Sequence, residues 1–147
     1  MLRLVAVLLI SYLGMSGCKT PQPADVVGTW VITDEARNEL PPEIQKASGA
    51  LVVSRDWTFE AKELPEELDV DGRAERRLDS GNGTWVLAHF DGGQQLDLEF
   101  HAFSSSKPDD RGPYGFPVEI SWGWSAHELY YFLGDPDQGR RVTLTRR

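Results

Sequence analysis

The sequence contains one cysteine, Cys18, and has few basic residues. A single cysteine excludes an intramolecular disulfide and any zinc site built on several cysteines. Lys and Arg together number 15 against 23 Asp and Glu, which gives a net charge of −8. Phosphate binding requires a basic face, so this charge argues against nucleic acid as a partner. Long apolar runs are also missing, since none reaches the ~18 residues that span a bilayer as a helix.

Motifs that carry chemistry are equally scarce. The sequence has neither the Gly-x-Ser-x-Gly pattern of a serine nucleophile nor a glycine-rich loop before a helix. Asp97, Glu99 and His101 alternate on one strand face, but neighbours there lie ~7 Å apart, too far to share one metal ion. Asp135 and Asp137, with the adjacent Pro and Gly, are typical of a tight turn. We therefore predict no catalytic residue, no metal and no cofactor, and an enzyme that uses loop carboxylates is kept as a third alternative.

What is present at the N-terminus is a targeting pattern. Arg3 precedes an apolar run over residues 4–15, and the small residues Ser16 and Gly17 follow. This order is typical of a secretory signal. The segment Met15-Ser16-Gly17-Cys18 resembles the lipobox of bacterial lipoproteins. The resemblance implies cleavage before Cys18 and lipidation of Cys18, whereas an ordinary secretory signal is the alternative.

These residues divide the chain into three parts. We predict a lipoprotein signal peptide over residues 1–17, a lipidated, semi-extended tether over 18–25 and one domain over 26–147. Lys19 after the cysteine, by analogy with Gram-negative lipoproteins, favours the outer membrane. The expected location is thus the bacterial cell envelope, lipid-anchored and facing the periplasm.

The domain has the two-residue periodicity of β-strands. Turn residues bound eight such segments, near 26–33, 50–54, 57–63, 83–90, 95–103, 118–125, 128–133 and 140–146. One short helix is expected in the first long loop, over residues 41–48. Tight and long connections alternate along the chain, so an up-and-down arrangement collects the long loops at one end. Closing the sheet into an antiparallel barrel removes its edges, although a two-sheet sandwich remains an alternative.

The first strand carries a family resemblance. Gly28-Thr29-Trp30 resembles the Gly-x-Trp signature of lipocalin-like (calycin) barrels. That family places an arginine of the last strand over the tryptophan, which implies a cation–π contact of Arg146 with Trp30. Gly83-Thr84-Trp85 repeats the signature, either as the trace of a duplicated half or because two strands share a packing need. With Leu-Tyr-Tyr-Phe-Leu-Gly-Asp-Pro-Asp at 129–137, the chain also resembles a group of small bacterial lipoproteins, and that resemblance implies no activity.

Strand alternation points all five tryptophans into the barrel. An eight-stranded barrel has room for its side chains or for one small ligand, so both a filled core and a cavity remain open. For a cavity, the candidate ligand-lining residues are Trp57, Phe59, Trp122 and Trp124. The same parity turns five apolar side chains outward, either as an exposed patch or covered by loops. They are Val86, Phe90, Phe103, Tyr130 and Phe132.

Charge marks the long-loop end. Its four loops, 34–49, 64–82, 104–117 and 134–139, contain 14 acidic and seven basic residues. An acidic end repels anions and steers basic partners. We expect a non-enzymatic binding role for the membrane-anchored protein, with a small apolar or amphipathic ligand in the barrel. The alternative is a protein-interaction module, such as an inhibitor, immunity protein or envelope-assembly partner, that uses this acidic end.

Overall fold

The computed structural model describes residues 20–70, 72–90, 93–107, 114–122 and 127–147. The signal segment, Cys18, Lys19 and Trp124 lie outside these ranges. In chain order the elements are α1 (Pro23–Val26), β1 (Gly28–Ile32), α2 (Asp34–Glu39), β2 (Ala50–Val53), β3 (Thr58–Val70), β4 (Arg73–Phe90), β5 (Gly93–Ser105), β6 (Tyr114–Trp122), β7 (His127–Phe132) and β8 (Arg141–Arg146). A short 3₁₀ turn, Pro136–Gln138, precedes β8.

The eight strands form a closed antiparallel up-and-down barrel. Each strand pairs with its sequence neighbours, and β8 returns to pair with β1, where Trp30 lies opposite Arg146. The predicted all-β architecture, that of lipocalin-like barrels, is confirmed, and the two-sheet sandwich is excluded. The β2–β3, β4–β5 and β6–β7 connections lie at one end, called here the closed end. The β1–β2, β3–β4, β5–β6 and β7–β8 connections lie at the other end, the mouth.

Alternation along the strands builds the core. On β5, Gln94, Leu96, Leu98 and Phe100 are buried, while the residues between them are partly or fully exposed. Apolar side chains from every strand meet inside the barrel in one continuous cluster. Residues 33–49, called the first loop, add Leu40, Ile44 and Ala47, which are also buried. The first loop therefore packs against the mouth as a cover.

The helix of the first loop lies earlier than predicted. The expectation of a helix over residues 41–48 is wrong, since 42–46 form turns and α2 ends at Glu39. The Thr33 hydroxyl accepts a hydrogen bond from the Ala36 amide at 3.1 Å and caps α2. Leu40 has extended dihedrals before Pro41, and a residue that precedes proline disfavours the helical region. The cap and the proline together fix both ends of α2.

The prediction of a long loop over residues 64–82 is also wrong. β3 and β4 continue to Val70 and from Arg73, and they pair throughout as a hairpin. Glu66 lies opposite Arg77, and Glu67 lies opposite Arg76. Opposite charges that face each other across an antiparallel pair stabilise the pairing. Residues 64–70 and 73–80 are called the hairpin extension below.

Residues 23–25, the last three of the semi-extended tether that we expected over residues 18–25, are helical. Residues 23–26 form one helical turn, with a proline at its first position. The side chain of Val26 is fully buried. The chain thus packs against the barrel from α1 onward, before β1 begins.

Candidate functional site

A chain of aromatic rings crosses the barrel interior. The ring centroids of Phe59 and Phe100 are 4.8 Å apart, those of Phe100 and Phe116 6.3 Å, and those of Phe116 and Tyr131 4.8 Å. Edge-to-face pairs at these separations are favourable beyond their buried area. The Tyr131 hydroxyl donates to the carbonyl of Pro65 at 3.0 Å. The chain of rings therefore reaches from the barrel centre to the hairpin extension.

Two tryptophans pack at the closed end, and the indole N–H of each donates to a backbone carbonyl. The indole N–H of Trp30 donates to the carbonyl of Val26 at 2.8 Å, and that of Trp85 donates to the carbonyl of Ser54 at 2.9 Å. The guanidinium carbon of Arg146 lies 5.0 Å from the ring centroid of Trp30. The expected cation–π contact is present, and the same guanidinium also donates to the backbone carbonyls of Asp25 and Val27.

The repeated Gly-x-Trp pattern has a packing reason at each site. A Cβ atom on Gly28 would lie 3.3 Å from Nε of Arg146. A Cβ atom on Gly83 would lie 1.8 Å from the carbonyl oxygen of Glu99. Gly28 leaves room for the Arg146 side chain of β8, Gly83 lets the backbone of β5 approach closely, and each glycine stands two residues before a buried tryptophan. The geometry therefore favours a packing need shared by the two strands as the explanation of the repeat.

The candidate ligand-lining residues do not share one surface. Phe59 is buried in the core, as expected. Trp57, which we expected to point inward, is 49% exposed. It lies in the β2–β3 turn with φ of 65°, and this left-handed residue breaks the strand alternation on which the expectation depended. Only the backbone of Trp122 is described, and Trp124 lies outside the described residues.

Buried charges occupy the interior just below the mouth. Nε of Arg77 lies 3.0 Å from Oε2 of Glu66 and 3.7 Å from Oδ2 of Asp79. The Tyr114 hydroxyl donates to Oδ2 of Asp79 at 3.0 Å. Burial alone raises the pKa of Asp79, but hydrogen bonds with Glu66, Ser105 and Tyr114 and the charge of Arg77 lower it below its ordinary value. These four residues, Glu66, Arg77, Asp79 and Tyr114, are called the mouth cluster, and they occupy the barrel interior next to the mouth.

A second set of ion pairs ties three segments together at the mouth. Glu67 of β3 pairs with Arg76 of β4 at 2.7 Å and with Arg140 of the β7–β8 loop. Arg76 also reaches Glu43 of the first loop at 3.5 Å. Burial raises the pKa of Glu67, but the hydrogen bonds and charges of Arg140 and Arg76 outweigh burial and lower it. This ion-pair chain holds the first loop and the β7–β8 loop to the hairpin extension.

The mouth keeps an acidic surface even though part of the predicted charge is internal. Glu66, Glu67 and Asp79 were expected in solvated loops, but strand pairing places them beside arginines and largely out of solvent. Asp71 and the acids at 109 and 110 lie outside the described residues. The exposed carboxylates that remain, called the acidic mouth, are Asp34, Glu35, Glu39, Glu43, Asp69, Asp135 and Asp137. Lys46, Arg73 and Lys107 are the exposed cations in the described part of the same loops.

A small groove opens in the acidic mouth. It lies between the hairpin extension and the β7–β8 loop, with a volume of ≈ 160 Å³. Leu68, Asp69, Asp135 and Gln138 are among its lining residues, and Glu67 forms part of its base. A cavity of ~150 Å³ accommodates a group the size of benzene, whereas pockets for drug-sized ligands measure ~300–1,000 Å³. The groove therefore has the dimensions of one inserted side chain.

The outer wall carries no metal site in the part of the chain that the structure describes. Glu99 and His101 are exposed, Asp97 accepts a hydrogen bond from Gln95 at 2.6 Å, and no group of three potential ligands forms among the described residues. Shallow grooves of ≈ 520 and ≈ 560 Å³ lie on this wall.

The outward apolar residues do not behave as one group. Val86 is exposed, and the rings of Tyr130 and Phe132 are half-buried with centroids 5.9 Å apart. Phe103, expected outward, packs on the core because a bulge between Gly83 and Asn82 shifts the β4–β5 register. The side chain of Phe90 is not among those described.

Sequence reasoning missed the two ion-pair sets, although the signal is present. Glu66 and Glu67 precede the tip at residues 71–72, and Arg77 and Arg76 follow it at the same distances. Such mirrored opposite charges indicate a paired hairpin. Arg140 could not be found in this way because its contact with Glu67 spans 73 residues.

The fold and these contacts define a closed β-barrel with an acidic mouth, and its described interior side chains pack against one another in one cluster. Comparison with family models, curated proteins and solved structures gave no match. The helices that the structure describes are too short and too polar to traverse a bilayer.

Proposed function

We propose that the protein is a lipid-anchored interaction module of the bacterial cell envelope, and that its acidic mouth binds a basic protein partner without catalysing a reaction. The observation that carries this proposal is the close packing of the described interior side chains. The aromatic chain and the mouth cluster occupy much of the described interior, which favours recognition on the outer surface. Of the two binding roles expected from the sequence, the packing supports the second.

The charge and rigidity of the mouth suit such a partner. The exposed carboxylates attract a basic surface and accelerate its association. The ion pairs of Glu67 with Arg76 and Arg140 hold the surrounding loops in place. A preformed surface loses less conformational entropy on binding. The groove between Asp69 and Asp135 suits the long cationic side chain of a lysine or arginine.

The anchor supports an outward-facing mouth. The lipobox resemblance implies a lipid on Cys18, and β1 begins at the closed end, beside the β2–β3 turn. A lipid attached there would hold the closed end near the membrane and the mouth away from it. The proposed location is the outer membrane, with the mouth facing the periplasm.

A ligand inside the barrel stays a prediction. Native mass spectrometry of the detergent-extracted full chain tests it directly. A reproducible added mass of a ligand, beyond that of the acyl chains, would favour the barrel interior. An unliganded mass favours the surface role.

The surface role is tested by zero-length carbodiimide cross-linking in intact envelopes, which joins carboxylates to lysines in direct contact. We expect Asp69 or Asp135 to be linked to lysines of one partner. The double variant Asp69→Asn/Asp135→Asn removes these links. The matched control, Glu60→Gln/Glu99→Gln, removes two exposed carboxylates of the outer wall and retains the links.

Salt provides a second criterion. At about 0.5 M NaCl the screening length falls well below 8 Å, and the cross-links should weaken strongly. Links that persist equally in both double variants, or no link from the mouth at all, would refute the proposed function.

A further inference from the structure

We propose that the closed end of the barrel is a membrane-contact surface, in which Trp57 enters the headgroup region of a phospholipid bilayer. The occupant is the lipid surface itself rather than a second protein. The inference rests on the proposed lipid anchor for its proximity to the bilayer. It goes beyond the anchor because it assigns a contact made by the folded domain.

Trp57 is presented outward by a hydrogen-bonded turn. Its carbonyl accepts a hydrogen bond from the Trp85 amide at 2.9 Å. The ring centroids of Trp57 and Trp85 are 4.7 Å apart. The turn is closed by a hydrogen bond from the Ser54 amide to the carbonyl of Thr58 at 2.9 Å. Even so, half of the Trp57 side chain remains exposed. The turn thus holds a large indole toward solvent.

The surroundings of Trp57 suit a lipid headgroup layer. Arg55 and Arg147 are exposed at the same end, and the Arg147 amide donates to the carbonyl of Thr29 at 2.9 Å. Tryptophan is enriched where the bilayer meets water, and basic side chains near the surface attract anionic lipids. Two carboxylates, Asp25 and Asp56, share this end, and Asp56 accepts hydrogen bonds from the amide and hydroxyl of Thr58.

The path of the chain places the bilayer next to this end. α1 lies under the closed end, where Arg146 binds the carbonyl of Asp25 and Trp30 binds that of Val26. Cys18 precedes Pro23 by five residues. Five residues reach at most ~18 Å. A lipid on Cys18 would therefore keep the β2–β3 turn within reach of the headgroups.

Quenching by brominated lipid tests the contact. The full chain is expressed in a Gram-negative host, extracted in detergent and reconstituted into phosphatidylcholine–phosphatidylglycerol vesicles with brominated acyl chains. Flotation first establishes that the protein is bound. We expect the tryptophan fluorescence of the native chain to be quenched about two-fold or more strongly than that of Trp57→Phe. Trp30 and Trp85 are buried and contribute little to this difference.

Two further variants locate the effect. Trp57→Phe/Ala102→Trp moves an indole to an exposed position on the outer wall, toward the mouth end of β5, and we expect it to show no added quenching. Arg55→Gln/Arg147→Gln keeps Trp57 and should reduce its quenching in vesicles with anionic lipid. Because both arginines are exposed, this variant also serves if Trp57→Phe does not fold.

The outcomes separate the contact from the anchor. A protein that floats with the vesicles, but shows equal quenching with and without Trp57, overturns the contact and leaves the anchor standing. A protein that does not float overturns the anchor and the contact together. Quenching that follows the indole to position 102 would mean that the outer wall, rather than the closed end, meets the lipid.

Discussion

The carboxylate of Glu67 on β3 and the guanidinium of Arg140 form an ion pair across the mouth, although they lie 73 residues apart in the sequence. Arg76 binds the same carboxylate from the neighbouring strand. Glu67 therefore joins the hairpin extension to the loop before β8. Because Glu67 is largely buried, its charge depends on these two arginines.

Replacing Glu67 with Gln should destabilise the fold by about 1.5 to 3 kcal/mol, because hydrogen bonds to charged groups contribute on this scale. Urea denaturation followed by tryptophan fluorescence measures the change. Glu99→Gln is the control, since Glu99 is an exposed carboxylate on β5. The control should change the free energy of unfolding by less than about 0.5 kcal/mol. Equal effects of the two variants would show that the mouth ion pairs contribute nothing specific.

Acid should weaken the fold through the same region. The pKa of Glu67 is lowered from 4.5 and that of Asp79 from 3.8 in the folded chain. A lowered pKa contributes stability that is fully present above the ordinary value and is lost as pH falls through the folded-state value. We expect the free energy of unfolding to fall below about pH 4.5, and to fall less steeply in Glu67→Gln. Urea titrations at several pH values test this, and identical acid slopes in the two proteins would contradict it.

Gly83→Ala should be severely destabilising. The added methyl group would meet the backbone oxygen of Glu99 at 1.8 Å, and a paired strand cannot move away easily. We expect a loss of about 3 kcal/mol or more. Gly115→Ala is a matched control on β6, where an added Cβ meets nothing within 4 Å. Thermal unfolding of the two variants decides the matter, and a stable Gly83→Ala barrel would disprove the packing account of the Gly-x-Trp repeat.

Phe100→Ala should cost about 3 to 5 kcal/mol, because it empties the centre of the aromatic chain. Phe100 is fully buried and contacts Phe59, Tyr114 and Phe116. Val86→Ala, at a position that is 56% exposed, serves as the control. Denaturant titration measures stability, and calorimetry with benzene asks whether the new cavity binds an apolar molecule. A small loss of stability would argue that the native interior already contains empty space.

Local patterning predicted the strands and favoured a barrel, with a two-sheet sandwich as the alternative. Two-residue alternation placed Trp30, Phe59 and Trp85 inside, and the need to remove exposed sheet edges favoured closure. The contact of Arg146 with Trp30 followed from a family resemblance rather than from alternation. The helix was placed too late because the prolines at 41 and 42 were used to set its start, whereas the Thr33 hydroxyl caps α2.

The mouth could be derived only in part. The charged residues at 64–82 were assigned to a solvated loop, although Glu66 and Glu67 mirror Arg77 and Arg76 about the hairpin tip. Trp57 was assigned to the barrel interior, but its own left-handed backbone conformation turns its side chain outward. The contact between Arg140 and Glu67 depends on the twist and closure of the whole barrel. Such contacts follow from tertiary structure, and sequence periodicity does not contain them.

The pairing of β8 with β1 also determines how the chain can be reconnected. The two ends of the described chain lie side by side, since the Arg147 amide binds the carbonyl of Thr29 and Arg146 binds that of Asp25. Gly72 stands at the opposite end of the molecule, at a hairpin tip where an added Cβ would meet nothing within 4 Å. Joining the ends by a short linker and opening the chain at Gly72 would create a circular permutant with every strand neighbour unchanged. In such a permutant the new termini would project from the mouth, so a fused reporter would stand on the acidic side of the molecule.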